Sequence, residues 1–237
     1  NTIAVTTVLI ETGMVEAREP ITELTLEAPA GIIEVRAQVN KGKVRAVTFE
    51  NVPAFAVHLD TPVEVPELGT VIVDVAYGGM FYVIADAQPL GLALTPDEAG
   101  DAVRLGEMIK AATREQLDCV HPNNPGIRGV TIAQLSAPAI GPGVDLRNTV
   151  IVSTGKLNWD RPSTWKGVLD RSPCGTGTCA KMAALYAKGE LEAGIYEFDV
   201  SSKSYKKVES VERADKVYFI SITPKRNTIA DQVIQGL

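Results

Sequence analysis

A helix with almost no polar face has to be covered on every side, and two stretches of this chain read as such helices. Residues 2–12 are nearly all apolar and run into Gly13, a natural helix stop. In the second stretch Cys179, Met182, Ala183 and Tyr186 recur at helical spacing, Lys188 sits in the last turn and Gly189 ends it. Setting Gly13 on Gly189 aligns Glu11-Thr12-Gly13-Met14-Val15-Glu16-Ala17 with Ala187-Lys188-Gly189-Glu190-Leu191-Glu192-Ala193, and Leu9 with Leu185. Self-similarity of this kind implies two related halves, each organised around one helix.

The second helix is preceded by Cys174 and a run of small residues, Gly175-Thr176-Gly177-Thr178. Free amides at a helix N-terminus attract an anion, so they can lower the pKa of the sulfur and hold a substrate carboxylate beside it. The blander reading of Cys174 is a small buried hydrophobe, which is what free cysteines usually are. The glycines and threonines weigh toward the reactive reading, whereas Cys179, on the apolar stripe, reads as core. The offset that pairs Gly13 with Gly189 carries Cys174 to a position just ahead of residue 1, so a matching thiol of the first half is expected just before this chain begins.

With 45% hydrophobic and 22% charged residues, the 237-residue chain can bury a sizeable core as one large or two small domains. A net charge of -6 argues against a nucleic-acid partner. Cys119, Cys174 and Cys179 are too few for a disulfide framework and belong to no zinc-like Cys/His set, so no metal is expected and a reducing cytoplasm fits best. No leader and no 18-residue apolar run indicates export or membrane spanning.

Strand-like runs at residues 24–28, 32–39 and 44–49, separated by Pro29-Ala30-Gly31 and Asn40-Lys41-Gly42, predict an antiparallel meander. Further strands are expected at 55–63 and 70–77 across a turn at Pro66-Glu67-Leu68-Gly69, with a lobe boundary between residues 72 and 73. His58 lies in one of these strands with no motif around it and reads as structural. The pair Gly78-Gly79 marks a bulge or a close backbone approach, by a ligand or by the other half of a site. Thr95-Pro96-Asp97-Glu98 is a capping box that starts a helix reaching about residue 117. On it Ala102, Leu105, Met108, Ile109 and Ala112 form the apolar stripe, while Arg104, Glu107, Lys110 and Arg114 are expected to face water. Cys119 and His121 share one face of an extended segment and read as edge structure, His121 keeping a minor claim to line a cleft. Strands at 130–135 and 149–153 flank a Pro/Gly-rich turn at 138–143, and strands at 197–200, 204–208 and 216–222 complete a second antiparallel set. The fold class is α+β in two similar lobes, 1–72 and 73–237.

The segment Asp170-Arg171-Ser172-Pro173-Cys174-Gly175-Thr176-Gly177-Thr178 resembles the signature of the proline racemase family, which includes proline racemases, 4-hydroxyproline 2-epimerases and trans-3-hydroxyproline dehydratases. The resemblance continues through Val152-Ser153-Thr154-Gly155-Lys156-Leu157, Trp159-Asp160-Arg161-Pro162, Trp165-Lys166-Gly167-Val168-Leu169 and Ala76-Tyr77-Gly78-Gly79-Met80-Phe81-Tyr82. Asn1-Thr2-Ile3-Ala4 is similar to the residues that come directly after the family's other signature, Met-Cys-Gly-His, which this sequence lacks, and the likeness fades after about residue 193.

The resemblance implies the diaminopimelate epimerase-like fold, in which each lobe wraps a sheet around a central helix and the active site lies between lobes. It implies a cofactor-independent racemase or epimerase acting at Cα of proline or 4-hydroxyproline through two thiols. Matched positions give Cys174 the acid/base role, Gly175 and Thr176 the carboxylate, Asp170 the ring ammonium, and Asn1 a place in the first lobe's carboxylate cradle. Dehydratases of this kind carry Thr in place of the second cysteine, and Cys174 is intact, so epimerase or racemase is preferred. The segment from Trp159 to Leu169 is closer to the 4-hydroxyproline epimerase branch. The competing reading is a catalytically inactive, truncated family member. The expected partner is a small-molecule substrate, with room for a homodimer and none for nucleic acid or membrane.

Overall fold

The structure is a computed structural model that describes residues 1–138, 146–171 and 174–191, together with the strand backbones Ile195–Asp199, Ser204–Glu209 and Tyr218–Ile222. The chain opens with helix α1 (Thr2–Glu11) and the predicted meander, β1 (Ile21–Ala28), β2 (Gly31–Asn40) and β3 (Lys43–Glu50). On β2 the residues Ile33, Val35, Ala37 and Val39 are buried and alternate with exposed Glu34, Arg36 and Gln38, which gives the sheet one apolar face. α1 lies on that face through Ile10. Lys41 and Gly42 both take positive φ (+53° and +69°), the geometry that a tight two-residue hairpin between twisted strands requires. Among the described residues α1 is covered on one side only: Thr6, Thr7 and Ile10 are buried, whereas Val5 and Val8 are 43% and 42% exposed.

A second sheet comes next, built from β4 (Phe55–Val65), β5 (Gly69–Tyr77), β6 (Phe81–Asp86), β9 (Ile132–Pro138), β10 (Leu146–Ser153) and β11 (Gly167–Leu169), in the order β11-β10-β9-β6-β5-β4. Its one parallel pairing, β6 with β9, is bridged by helix α2 (Ala99–Gln116) and by the hairpin β7 (Val120–His121) and β8 (Asn124–Arg128). α2 packs on one face of this sheet and helix α3 (Gly175–Ala187) on the other. Covering on both faces explains why β6 and β9 are buried nearly throughout instead of alternating.

The two-lobed α+β plan is therefore present, each sheet carrying one of the paired helices. Three details differ from the sequence reading. The boundary expected between 72 and 73 falls inside β5, which is tied to both β4 and β6; by strand pairing the chain changes sheet at residues 51–54. The tail does not complete the second lobe: β12 (Ile195–Asp199), β13 (Ser204–Glu209) and β14 (Tyr218–Ile222) extend the first sheet through β14 against β3, and β12 and β14 are parallel. Finally, Thr95 does form the capping box, on a 3-10 turn at Pro96–Glu98, and the apolar stripe of α2 is buried, but Glu107 and Lys110 are buried too (1% and 5% exposed). β10 and β11 close over that face of α2, where Glu107 pairs with Lys110 at 2.9 Å and accepts a hydrogen bond from Ser153 Oγ at 2.9 Å. A buried charge is tolerable only with partners of this kind. Of the turn expected at 138–143, all but Pro138 lies outside the described residues. Among the described residues no helix is long and apolar enough to cross a membrane.

Candidate functional site

β11 ends at Leu169, and the amide of Asp170 donates to the carbonyl of Val150 on β10 (2.8 Å), which fixes Asp170 beside the second sheet. Cys174 then forms the N-cap of α3 with φ +52° and ψ +74°. For a residue with a side chain this left-handed conformation costs about 1–2 kcal/mol, so the surroundings must hold it there. The helix begins at once, Thr178 N–H donating to the Cys174 carbonyl (2.9 Å).

The sulfur is buried beneath this turn, the residue being 9% exposed. Tyr82 reaches it from β6, its hydroxyl 3.4 Å from Cys174 Sγ and 2.7 Å from Thr176 Oγ1. The Gly177 N–H also bonds to the sulfur, and the Asp170 carboxylate is hydrogen-bonded to it. Burial pushes the thiol up, the bonds from Tyr82 and Gly177 pull it down, and the Asp170 charge pushes it up again, with a net upward direction. The lowering expected from a helix N-terminus is present in the Gly177 amide, but desolvation outweighs it. The same burial, aided by the charge of Cys174, pushes the Tyr82 phenol far above its ordinary value.

Glycines make this cluster possible. A Cβ on Gly177 would stand 2.6 Å from Gln134 Oε1, 3.0 Å from Cys174 Sγ and 3.1 Å from Tyr82 Cε1. One on Gly78 would collide with the Thr176 carbonyl and lie 2.6 Å from the Ala180 amide. The close backbone approach expected at Gly78-Gly79 is thus real, and what approaches is the first turn of α3 itself. Asn51, in the segment that joins the two sheets, holds this corner by donating to the Gly78 carbonyl (2.8 Å).

The structure therefore brings Cys174, Asp170 and Thr176 together. Gly175 stands at the first helical position, with Phe49 Cζ of β3 3.6 Å from where its Cβ would be, so the first sheet reaches the mouth of the site. Asn1 is the exposed N-cap of α1, packed with that helix on β2 and β3 rather than on α3. Cys119 is fully buried, and burial pushes its thiol up. His121 stacks edge-on to Phe55 and Tyr77 (5.4 and 4.8 Å) in the β7-β8 hairpin, and His58 bonds to the Asp118 carbonyl (2.9 Å). A cavity of about 510 Å³ opens at the far end of α3, away from the thiol, where Lys188 bridges Asp60 and Asp74 at 2.7 and 2.8 Å. A cation at a helix C-terminus is favourable in itself, and this arrangement braces the helix.

Two members of the cluster escape sequence reasoning. Tyr82 closes the Gly-Gly-Met-Phe-Tyr run, in which the glycines are the feature that stands out. Gln134 sits mid-strand on β9, fully buried, with neither amide atom partnered among the described residues. Its one signal is a large amide inside a strand that otherwise holds only apolar residues and the small Ser136, Ile132 to Ala137.

The proline racemase family model matches residues 1–203. The chain belongs to the proline racemase family. It is 37% identical over 228 residues to a proline racemase of Clostridioides difficile, a match that covers 95% of this chain and 64% of that protein. An uncharacterised protein of Bacillus anthracis is 41% identical over 192 residues, covering 81% of this chain and 52% of its own. Among solved structures, a probable proline racemase of Agrobacterium radiobacter K84 with bound carbonate superposes with a TM-score of 0.72 at 34% identity, covering 83% of this chain and 54% of that one. A hydroxyproline epimerase of Agrobacterium vitis with bound trans-4-hydroxy-L-proline gives 0.71 at 35% identity, over 83% and 53%. The chain thus spans less than two-thirds of the length of each of these relatives.

Proposed function

We propose that this chain carries one half of the acid/base machinery of a cofactor-independent racemase or epimerase that acts at Cα of proline or 4-hydroxyproline. The observation that carries the reading is the placing of Cys174, a thiol at a helix N-terminus with Asp170, Tyr82 and Thr176 grouped around it. Inverting an amino acid at Cα requires a proton to leave one face and another to arrive on the opposite face, so two groups must flank the carbon. Cys174 is one of them: as thiolate it takes the Cα proton and becomes a thiol, and the electron pair passes into the carboxylate as enolate charge. The amides at Gly175 and Thr176 are aimed to hold that carboxylate, and preorganised donors of this sort usually supply the largest catalytic term. Asp170 receives the ring ammonium, and Asn1, at the start of α1, is assigned to the carboxylate from the first lobe.

With Cys174 on one face alone, a proton is removed and returned on that face. The chain is therefore expected to exchange the Cα proton of L-proline or trans-4-hydroxy-L-proline with D2O while keeping configuration, and Cys174→Ala should abolish the exchange. Nuclear magnetic resonance tracks the exchange and polarimetry the configuration. Exchange that survives Cys174→Ala would remove the thiol from the reaction, and inversion by this chain would point to a second base among its own residues.

A further inference from the structure

We propose that Tyr82 is a positioning residue whose single hydroxyl hydrogen changes partner with the state of Cys174, pointing at the sulfur when it is a thiolate and at Thr176 when it is a thiol. Tyr82 Oη lies between two atoms that can each donate or accept, Cys174 Sγ at 3.4 Å and Thr176 Oγ1 at 2.7 Å. A phenol has one hydrogen to give. A thiolate can only accept, so it draws the Tyr82 hydrogen, and the Thr176 hydroxyl must then donate to Tyr82 Oη to keep that short contact. A neutral sulfur is a weak acceptor and has its own hydrogen to place, on Asp170 or on Tyr82 Oη. The Tyr82 hydrogen then turns to Thr176 Oγ1, and the Thr176 hydrogen is released.

No proton is gained or lost in this exchange; two hydroxyls rotate. The phenol is suited to the part because burial keeps it protonated. The titratable groups that face the sulfur are Tyr82 from β6, Asp170 after β11 and Cys179 on α3. Tyr82 bonds to both the sulfur and the Thr176 hydroxyl of the α3 N-terminus.

The use of the switch rests on the function proposed above. When Cys174 takes the Cα proton it becomes a thiol, and the Thr176 hydroxyl is freed at the moment the substrate carboxylate gains charge. A donor that becomes available only as charge develops favours the transition state over bound substrate.

The test is a titration of thiolate ultraviolet absorbance on the 237-residue chain carrying Cys119→Ala and Cys179→Ala, taken as the difference from the same chain with Cys174→Ser, so that Cys174 is the thiol read. Tyr82→Phe should raise the Cys174 midpoint by about one pH unit, roughly tenfold less thiolate below it, since a hydrogen bond to a charged group is lost. Tyr77→Phe, which removes a buried phenol one strand away that has no hydrogen-bond partner among the described residues, should leave the midpoint in place. Tyr82→fluorotyrosine keeps the shape and strengthens the donor, so it should lower the midpoint, and it serves as well if Tyr82→Phe does not fold. An unmoved midpoint in folded Tyr82→Phe, or a rise with fluorotyrosine, overturns the proposal. Binding of pyrrole-2-carboxylate, a flat carboxylate, checks the link to Thr176: its affinity should fall more steeply on Cys174 ionisation in the native chain than in Tyr82→Phe, and equal falls refute the link. Because the titration uses no substrate, a shifted midpoint without deuterium exchange would sink the proposed reaction and leave the switch standing.

Discussion

α1 and α3 end alike and are held differently. Each closes on a right-handed residue succeeded by a left-handed glycine: Thr12 at φ -90° and ψ -2° before Gly13 at +75°, Lys188 at -80° and -8° before Gly189 at +74°. In each the glycine amide donates to the carbonyl three residues back, Ile10 at 3.1 Å and Tyr186 at 3.0 Å. Along the bodies the likeness stops. Ala184 of α3 is fully buried, while Val8, its counterpart in α1, is 42% exposed. α3 is crowded in its first turns, by Gly78 just past the end of β5 and, at Gly177, by Gln134, Cys174 and Tyr82, whereas α1 lies on a meander that, among the described residues, leaves its far side uncovered. The cap geometry thus belongs to the repeated plan, and the side-chain sizes belong to what each lobe packs against its helix.

The sharpest way to break that contrast is at the clamp. Gly78→Ala places a Cβ against two backbone atoms of α3, the Thr176 carbonyl and the Ala180 amide, and backbone cannot step aside as a side-chain tip can. A loss of about 3 kcal/mol is expected in urea unfolding, the upper part of the usual range for overpacking. It should be accompanied by loss of the Tyr82–Thr176 contact, since Thr176 is the residue displaced. A stable Gly78→Ala chain would mean that α3 is held no more tightly than α1.

A smaller effect separates the two helices by pH. α3 carries Cys179 where the repeat puts Ile3 in α1. Burial pushes the Cys179 thiol up to about 11, with the charge of Cys174 adding to it and a bond from Asn51 opposing it. A thiol whose folded pKa is raised stabilises fully below its unfolded pKa, and that contribution fades as pH climbs from the ordinary thiol range to about 11. Unfolding free energy should therefore fall on the order of 2 kcal/mol over that window. Cys179→Ala should flatten the fall, whereas Ile3→Ala should leave its slope unchanged. Equal alkaline slopes for Cys179→Ala and the native chain would show that the thiol is not confined by the clamp.

Legibility in the sequence divides along the same line. Caps, turns and strands are local, and so Gly13, Gly189, Lys41-Gly42 and the capping box at Thr95 can be read from a few adjacent residues. The thiol, Asp170 and Thr176 share one stretch of chain, and the signature around them marks them together. Tyr82 and Gln134 are brought to the sulfur by β6 and β9, strands whose parallel pairing depends on a crossover longer than forty residues (Asp86 to Ile132). Nothing within a short window of either residue encodes that meeting. The burial of Glu107 and Lys110 is hidden for the same reason, because the cover over them comes from β10 and β11. Tail strands at 197–222 are recognisable as strands, but their sheet is decided by a long-range pairing to β3.

The finest test bears on the likeness itself. Gly13 and Gly189 both have positive φ, and neither would meet an atom within 4 Å if given a Cβ. The cost of alanine at each is then a backbone cost alone, about 1 kcal/mol for a side chain in the left-handed region. Packing is absent from both positions, so the different surroundings of α1 and α3 have no means to separate them. Gly13→Ala and Gly189→Ala should accordingly destabilise by the same amount, within about 0.5 kcal/mol, and the double variant should show the sum of the two, since distant independent sites add. Asparagine, which tolerates this conformation better than alanine, should recover part of the loss at either site. A clearly larger loss at Gly189 would place the Lys188 bridge to Asp60 and Asp74 within the cap, making that terminus part of the clamp and no longer a copy of the one in α1.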